Sequence, residues 1–312
     1  MTNQQQQEYY KEQQQQHLST IEAMCRQESN GYTCDDYLQR QVQANKMTTE
    51  DAAVHIRNRL KMVQWCTSLV DCCNLERETV SAAISCLDRY LSTPTGSSCI
   101  RRNCSEEFQL ASITCLYSLQ KISGGPILSP EMLSNISRGF YSAQDLEQME
   151  WNILAAIQWR VNVPTPLAFV RELLRLIPHG LLSDESREQA YALAKLQTEM
   201  VVGDYSLVSV NASTIAIAAI WNALETLQID GLQIDGQLIQ QFVLSKTRTT
   251  GPALDIQSDE VIQIQGCLFL AIAACSDALD DSETASKKLV NASPARRRSY
   301  TISPRTVCNQ AA

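Results

Sequence analysis

Three charged side chains occupy positions where helical periodicity predicts an apolar core. Glu150 and Asp88 each lie four residues after one apolar residue and three before another, and Arg59 adjoins Leu60 in a further apolar stripe. Breaking a buried ion pair costs about 3 to 5 kcal/mol, so such charges require partners. We expect Arg59 and Asp88 to form a structural pair within one domain. For Glu150, a partner in the same domain and a partner on another chain both remain open.

The sequence carries no pattern typical of catalysis or metal binding. It has no glycine-rich phosphate loop and no Gly-x-Ser-x-Gly turn. Its twelve cysteines lack Cys-x2-Cys spacing and its three histidines are scattered, so we expect the cysteines to be small buried hydrophobes or bystanders. We therefore expect no catalytic residue, cofactor, metal or small-molecule substrate.

Composition and charge exclude several further classes. A chain of 312 residues with 44% hydrophobic and 19% charged residues has room for two globular domains and enough apolar residues for their cores. The net charge of −8 argues against nucleic-acid binding, and no apolar run reaches the roughly 18 residues needed to span a membrane. The N-terminus lacks the basic and apolar regions of a secretion signal. We expect a soluble protein of the nucleus, the cytoplasm or both.

Both ends of the chain differ in composition from its middle. Residues 1–40 contain two glutamine runs without sustained apolar periodicity, which predicts a disordered or loosely helical tail. Residues 281–312 hold six basic side chains against two acidic ones, a net charge of +4, so the remainder carries −12. We interpret this second tail as a phosphorylation and localisation element with candidate sites Ser293, Ser299 and Ser303, and a merely solvated tail is the alternative.

The middle of the chain predicts helices only. In its first half, Thr48 opens a helix whose apolar face includes Trp65 as a core anchor, and Ser142 opens another with Asp145 at its third position. Glycines and a proline at 124–126 end one helix, and a polar loop is predicted around Pro94. The other helices of this half are predicted over residues 77–91, 108–121 and 130–136.

A proline pair around Thr165 interrupts the helices as a linker would. Five more helices are predicted beyond it. The one over residues 211–227 is apolar nearly all round, which places it at the centre of its bundle. The predicted fold is all-α, with two tandem five-helix bundles over residues 41–163 and 164–280. The other helices of the second bundle are predicted over 167–176, 184–202, 236–244 and 259–279.

Several motifs in order resemble the cyclin family across residues 48–280. Leu87-Asp88-Arg89-Tyr90-Leu91-Ser92 and Met149-Glu150-Trp151-Asn152-Ile153-Leu154 resemble parts of a first cyclin box, as does Val163-Pro164-Thr165-Pro166-Leu167-Ala168-Phe169. Tyr205-Ser206-Leu207 with Ala212-Ser213-Thr214-Ile215-Ala216 resembles the second box. The resemblance implies two helical boxes and a regulatory subunit that binds and activates a cyclin-dependent protein kinase as a heterodimer, in cell-cycle control.

The resemblance also assigns site residues. In such cyclins a lysine that ends the third helix and a glutamate in the fifth contact the kinase, and Lys121 and Glu150 occupy those positions. The pair Arg59 and Asp88 matches a pair that the family uses internally.

Two departures from the family pattern leave other functions open. An aromatic residue and two glutamates usually follow the lysine, but this chain has Ile122-Ser123-Gly124, so the acidic contacts are missing. The patch that docks Arg-x-Leu substrates is apolar in some cyclins, and this chain has Asn58, Lys61 and Met62 in the corresponding places. A cyclin-like scaffold that activates no kinase is therefore one alternative. A transcription-associated protein with the same fold is another, although the chain lacks the basic helix faces and zinc ribbon expected of it.

Overall fold

The computed structural model describes residues 3–101, 105–123, 128–229, 232, 234–247 and 258–272. Within these ranges the chain forms helices and no strand, so the predicted all-α fold is confirmed. No described helix has the length and apolar character needed to cross a membrane. The helices are α1 (Asn3–Gln27), α2 (Tyr37–Gln43), α3 (Thr49–Cys72), α4 (Glu78–Ser92), α5 (Pro94–Arg101), α6 (Ser105–Ile122), α7 (Pro130–Ile136), α8 (Ala143–Ala156), α9 (Pro166–Leu176), α10 (Asp184–Met200), α11 (Ala212–Ile229), α12 (Gly236–Thr247) and α13, which covers residues 259–272.

The described residues fall into two structural units. The first unit comprises residues 26–165 together with 202–211. Its central helix is α6, which packs against α4 and α8 and buries residues on most of its circumference. The second unit comprises residues up to 25, residues 166–201 and the described residues from 212 onward.

Helix α11 is the centre of the second unit, as its apolar sequence predicts. It packs against both α9 and α10. Ala216, Ala218 and Ala219 are fully buried on successive faces, and these small side chains let the neighbouring helices approach closely. The polar residues Gln197 and Asn222 cross this interface, where Asn222 Nδ2 donates to Gln197 Oε1 at 3.0 Å.

The N-terminal region, for which the sequence predicts a disordered or loosely helical tail, is helical in the structure. Residues 3–27 are helical, and α2 follows after a short distorted turn at Glu28–Tyr32. Ile21 and Cys25 are buried, and Tyr37 and Leu38 enter the core of the first unit. These four apolar positions are too few and too widely spaced to produce a helical period among the polar residues around them.

A second difference concerns the polar loop predicted around Pro94. The structure has helix α5 there, because proline is well suited to the first helical position and Thr93 caps the turn. Thr93 Oγ1 accepts a hydrogen bond from the backbone N–H of Gly96 at 3.1 Å. The predicted helix end at residues 124–126 and the continuation of the last helix from 273 to 279 lie outside the described residues.

Candidate functional site

The side chains of Arg59 and Asp88 join α3 to α4 as a buried ion pair. Arg59 Nε donates to Asp88 Oδ1 at 2.9 Å and Nη2 donates to Oδ2 at 2.7 Å. Each side chain is only 5% exposed. Burial alone would lower the pKa of Arg59, but the charge and hydrogen bonds of Asp88 outweigh it and raise that pKa. The Arg59 guanidinium therefore stays ionised inside the core of the first unit.

Further groups of the same unit enclose this buried pair. The Tyr37 hydroxyl donates to Asp88 Oδ1 at 3.0 Å, and burial followed by the aspartate charge raises the pKa of Tyr37. Arg59 Nη1 donates to the backbone oxygens of Val202 at 3.0 Å and Gly203 at 3.2 Å. The pair thus connects α2, α3, α4 and the segment that follows α10, which is the arrangement of a structural pair.

A second ion pair joins the end of α6 to the middle of α8. Lys121 Nζ lies 2.7 Å from Glu150 Oε1 and 2.8 Å from Oε2. The Ser118 hydroxyl also donates to Oε1 at 2.8 Å. The Glu150 side chain is 14% exposed, whereas the Lys121 side chain is 38% exposed. This pair therefore lies at the surface of the first unit, with the lysine as its outer member.

The neighbours of Lys121 favour its charged form. Its ammonium group lies 4.6 Å from the centre of the Tyr117 ring, within the range of a cation–π contact. Partial burial would lower the pKa of Lys121, but the hydrogen bond and charge of Glu150 raise it. Lys121 therefore stays protonated within the pair.

Helix α8 is anchored at its start by a capping box. Ser142 Oγ accepts from the Asp145 backbone N–H at 3.1 Å, and Asp145 Oδ2 accepts from the Ser142 backbone N–H at 2.8 Å. The side-chain and backbone hydrogen bonds of Ser142 lower the pKa of Asp145. The box fixes the first turn of the helix that carries Glu150, as the sequence predicts.

Two tryptophans of the first unit, at the middle and just after the end of α8, are strongly exposed. Trp151 and Trp159 are 59% and 58% exposed, and their rings meet edge to face with centroids 5.7 Å apart. The way in which α8 ends at its C-terminus produces this contact. Gln158 and Trp159 both have positive φ, and Trp159 N–H donates to Leu154 O at 2.8 Å, so the helix ends in a Schellman turn. That turn directs Trp159 back toward Trp151.

These exposed side chains were not predicted as site residues. Trp151 follows Glu150 directly in the chain, and Ile122, which is half exposed, follows Lys121. One signal was present in the sequence: Trp151 is rotated about 100° from the apolar stripe of α8, so it cannot share the buried face. The left-handed turn at Gln158 and Trp159 contains no glycine, so the sequence does not predict it.

The remaining predicted residues lie apart from this surface. Trp65 is buried in the core of the first unit. In the segment compared with a substrate-docking patch, Met62 is fully buried, Asn58 is buried and Lys61 is half-buried. No cluster of possible metal ligands occurs among the described residues. The candidate phosphorylation sites Ser293, Ser299 and Ser303 lie outside the described residues.

Comparison with known families assigns the fold. The family described as "Cyclin, N-terminal domain" matches residues 21–162, and "Cyclin, C-terminal domain" matches residues 164–258. The chain belongs to the cyclin family. As a cyclin, it has both domains of the fold predicted from its sequence, and the finer boundaries of 41–163 and 164–280 stay predictions.

Its relatives include mitotic, A-type and B-type cyclins. The cyclin is 31% identical over 195 residues to G2/mitotic-specific cyclin-2 of Antirrhinum majus, covering 62% of this chain and 38% of the relative. It is 26% identical over 209 residues to Cyclin-A1-2 of Arabidopsis thaliana, covering 63% and 44%. It is also 26% identical over 190 residues to G2/mitotic-specific cyclin-B of Hydra vulgaris, covering 60% and 48%. The cyclin thus matches less than half the length of each of these relatives.

A solved structure is also similar. A viral cyclin from herpesvirus saimiri aligns with 67% of this chain and 86% of its own, with a TM-score of 0.46 and 16% sequence identity.

Proposed function

We propose that this cyclin binds a cyclin-dependent protein kinase, activates it as its regulatory subunit and performs no catalysis itself. Family membership supports a regulatory role. The observation that carries the proposal is the half-buried ion pair of Lys121 and Glu150 at the surface of the first unit, on two helices that also carry exposed apolar side chains.

This surface has the composition of a protein-binding site. Protein interfaces concentrate their binding energy in a few aromatic, arginine and well-packed residues, surrounded by contacts that exclude water. Here α8 carries exposed Trp151 directly after Glu150 in the chain, with Trp159 in contact with it, and α6 ends at exposed Ile122, directly after Lys121. All five side chains belong to α6, α8 or the turn that ends α8, and the ion pair joins the two helices. A partner that covers this part of the first unit would remove apolar area and both members of the ion pair from water together.

The ion pair is poised for such a contact. Glu150 has two donors of its own chain, so binding does not leave its carboxylate without hydrogen bonds. Lys121 is the more exposed member, and its ammonium group can also donate to a carboxylate of the kinase. Truncating one member of a charge pair that becomes buried in an interface costs about 2 to 5 kcal/mol of binding.

One feature favours a second candidate, binding without activation. The aromatic residue and two glutamates that follow this lysine in many cyclins are replaced by Ile122-Ser123-Gly124, so the contacts of the acidic residues are absent here. A scaffold of this kind would hold a kinase without raising its activity. Binding and activation must therefore be measured separately.

The test is affinity purification of the full chain from cells, with the bound kinase identified by mass spectrometry and its peptide phosphorylation measured. We expect a cyclin-dependent kinase in the wild-type sample, with activity above that of the free kinase. The double variant Lys121→Ala/Glu150→Ala should lose the kinase. Lys195→Ala/Glu199→Ala is the matched control, because that pair on α10 has nearly the same exposure, 36% and 15%. A kinase retained by both double variants contradicts the assignment, and a bound but inactive kinase favours the scaffold.

A further inference from the structure

The second unit contains a polar cleft. It lies between α11 and α12 beside α13, and its volume is about 660 Å³. Trp221 and Leu224 contribute apolar surface, and Glu225 and Asp235 contribute carboxylates. The volume is within the roughly 300 to 1,000 Å³ typical of ligand sites. The cleft therefore has room for side chains of a bound peptide.

Hydrogen bonds fix the walls of this cleft. Gln228 Nε2 donates to the backbone oxygen of Ile234 at 2.6 Å, which ties the end of α11 to the start of α12. On the other side, Gln265 Nε2 donates to Asn222 Oδ1 at 3.2 Å, and Asn222 Nδ2 donates to the backbone oxygen of Gln265 at 3.0 Å. Hydrogen bonds of side-chain amides therefore hold two sides of the cleft in place.

Its chemistry favours a cationic ligand. No lysine or arginine lines the cleft among the described residues, and within them no group pairs with the Glu225 carboxylate. Asp235 uses one oxygen to cap α12, accepting from the Leu238 N–H at 3.0 Å, and its other oxygen stays available. Trp221 lines the cleft as well, but it is only 8% exposed, so the ligand chemistry follows from the carboxylates. Carboxylates match an arginine side chain, whose planar fork of donors can bind them in a bidentate manner.

We infer that this cleft binds the arginine run at residues 296–298 of the same chain. These three arginines belong to the segment 281–312, whose net charge is +4, whereas the rest of the chain carries −12. The segment follows α13, and α13 forms one wall of the cleft through Gln265. Between residues 272 and 296 lie 24 steps of chain, and a chain of that length reaches at most roughly 80 to 85 Å. That span is ample for a return to the adjacent cleft.

The proposed contact is sensitive to phosphorylation. Ser299 follows the arginine run directly. A phosphate there would add a charge of about −1.5 to −2 and would also compete for the arginines, so it would release the segment from Glu225 and Asp235.

Limited trypsin digestion of the full chain tests this contact, because trypsin cleaves after the arginines of the run. The cleavage rate is followed by intact mass for the wild type and for Glu225→Gln/Asp235→Asn, in which asparagine preserves the cap of α12. The control Asp259→Asn/Glu260→Gln changes the charge equally at exposed positions of α13. We expect the wild type and the control to be cleaved roughly three- to tenfold more slowly than the cleft variant, as the loss of one or two partly exposed ion pairs implies.

Equal cleavage rates in all three chains would overturn the proposal. A fully accessible run in the wild type, together with cleft-dependent binding of a labelled peptide of residues 294–300, would also overturn it, since the cleft would then serve a basic segment of another molecule. The same rates measured in 0.5 M salt provide a second check: the protection should disappear there if the contact is ionic, and protection that persists contradicts it.

Discussion

Two ion pairs of the first unit use the same chemistry in different surroundings. Arg59 and Asp88 are enclosed by groups of their own unit, whereas Lys121 and Glu150 have one side toward solvent. Each pair joins two helices and each carboxylate accepts an additional hydroxyl hydrogen bond. The difference in exposure separates their roles. A closed pair can act only on folding, but a pair that is open on one side can also contribute to binding.

The largest effect on stability is expected at the closed pair, which is Arg59 and Asp88. Asp88→Ala leaves the Arg59 guanidinium buried without its carboxylate, which should lower the free energy of unfolding by about 3 to 5 kcal/mol. Urea denaturation measures this change. Asp71→Ala provides the control, because the Asp71 pair with Arg77 is almost half exposed and should contribute at most about 1 kcal/mol. A loss for Asp88→Ala no larger than that of the control would remove the distinction between closed and open pairs.

A smaller effect is expected for the hydroxyl that supports the closed pair. Tyr37→Phe removes the donor to Asp88 Oδ1 and keeps the ring, so it should cost about 1.5 to 3 kcal/mol, the range for hydrogen bonds to charged groups. Ser118→Ala removes the corresponding donor to Glu150 at the open pair. It should cost less, because water can replace it at the partly exposed carboxylate. The same denaturation series compares them, and a larger loss for Ser118→Ala would reverse the expected order.

The smallest effect concerns the start of α8 and depends on pH. Ser142→Ala removes a capping hydroxyl and should cost about 1 kcal/mol at pH 7. Ser142 lowers the pKa of Asp145 in the folded chain below its value in the unfolded chain, which is about 4. The ionised Asp145 therefore stabilises the fold fully above about pH 4, and this stabilisation is lost as the pH falls through the pKa of Asp145 in the folded chain. Denaturation midpoints at pH 7, 5 and 3 should therefore show a difference between wild type and variant that narrows toward pH 3. A difference that grows on acidification is the contrary result.

Local signals in the sequence were sufficient for most helices. The capping residues Thr48 and Ser142 mark the starts of α3 and α8, and α7 has the predicted bounds 130–136. Sequence patterns did not predict the structure where only a few residues of a segment make packing contacts. Residues 37 and 38 are buried in a polar segment, and the helix that begins at Pro94 uses residues that are equally typical of turns.

The candidate site was only partly predictable. Apolar periodicity identified Arg59, Asp88 and Glu150 as charges in helical stripes, but a stripe does not reveal which residues meet in space. Tyr37 lies 51 residues from Asp88 and reaches it only through tertiary folding. The position of Lys121 was given by family resemblance. Exposure of the tryptophan pair depends on a left-handed turn at Gln158 and Trp159, which glycine-based rules do not detect.

The most direct measurement compares stability and kinase binding in one variant of the open pair, which is Lys121 and Glu150. Glu150→Ala is purified, its free energy of unfolding is measured, and its affinity for the kinase that co-purifies with the wild type is determined by titration. We expect unfolding to change by no more than about 1 kcal/mol, as for other partly exposed pairs, while binding weakens by about 2 to 5 kcal/mol. A variant that loses several kcal/mol of stability, or that keeps wild-type affinity for the kinase, would contradict the assignment of this surface to kinase binding.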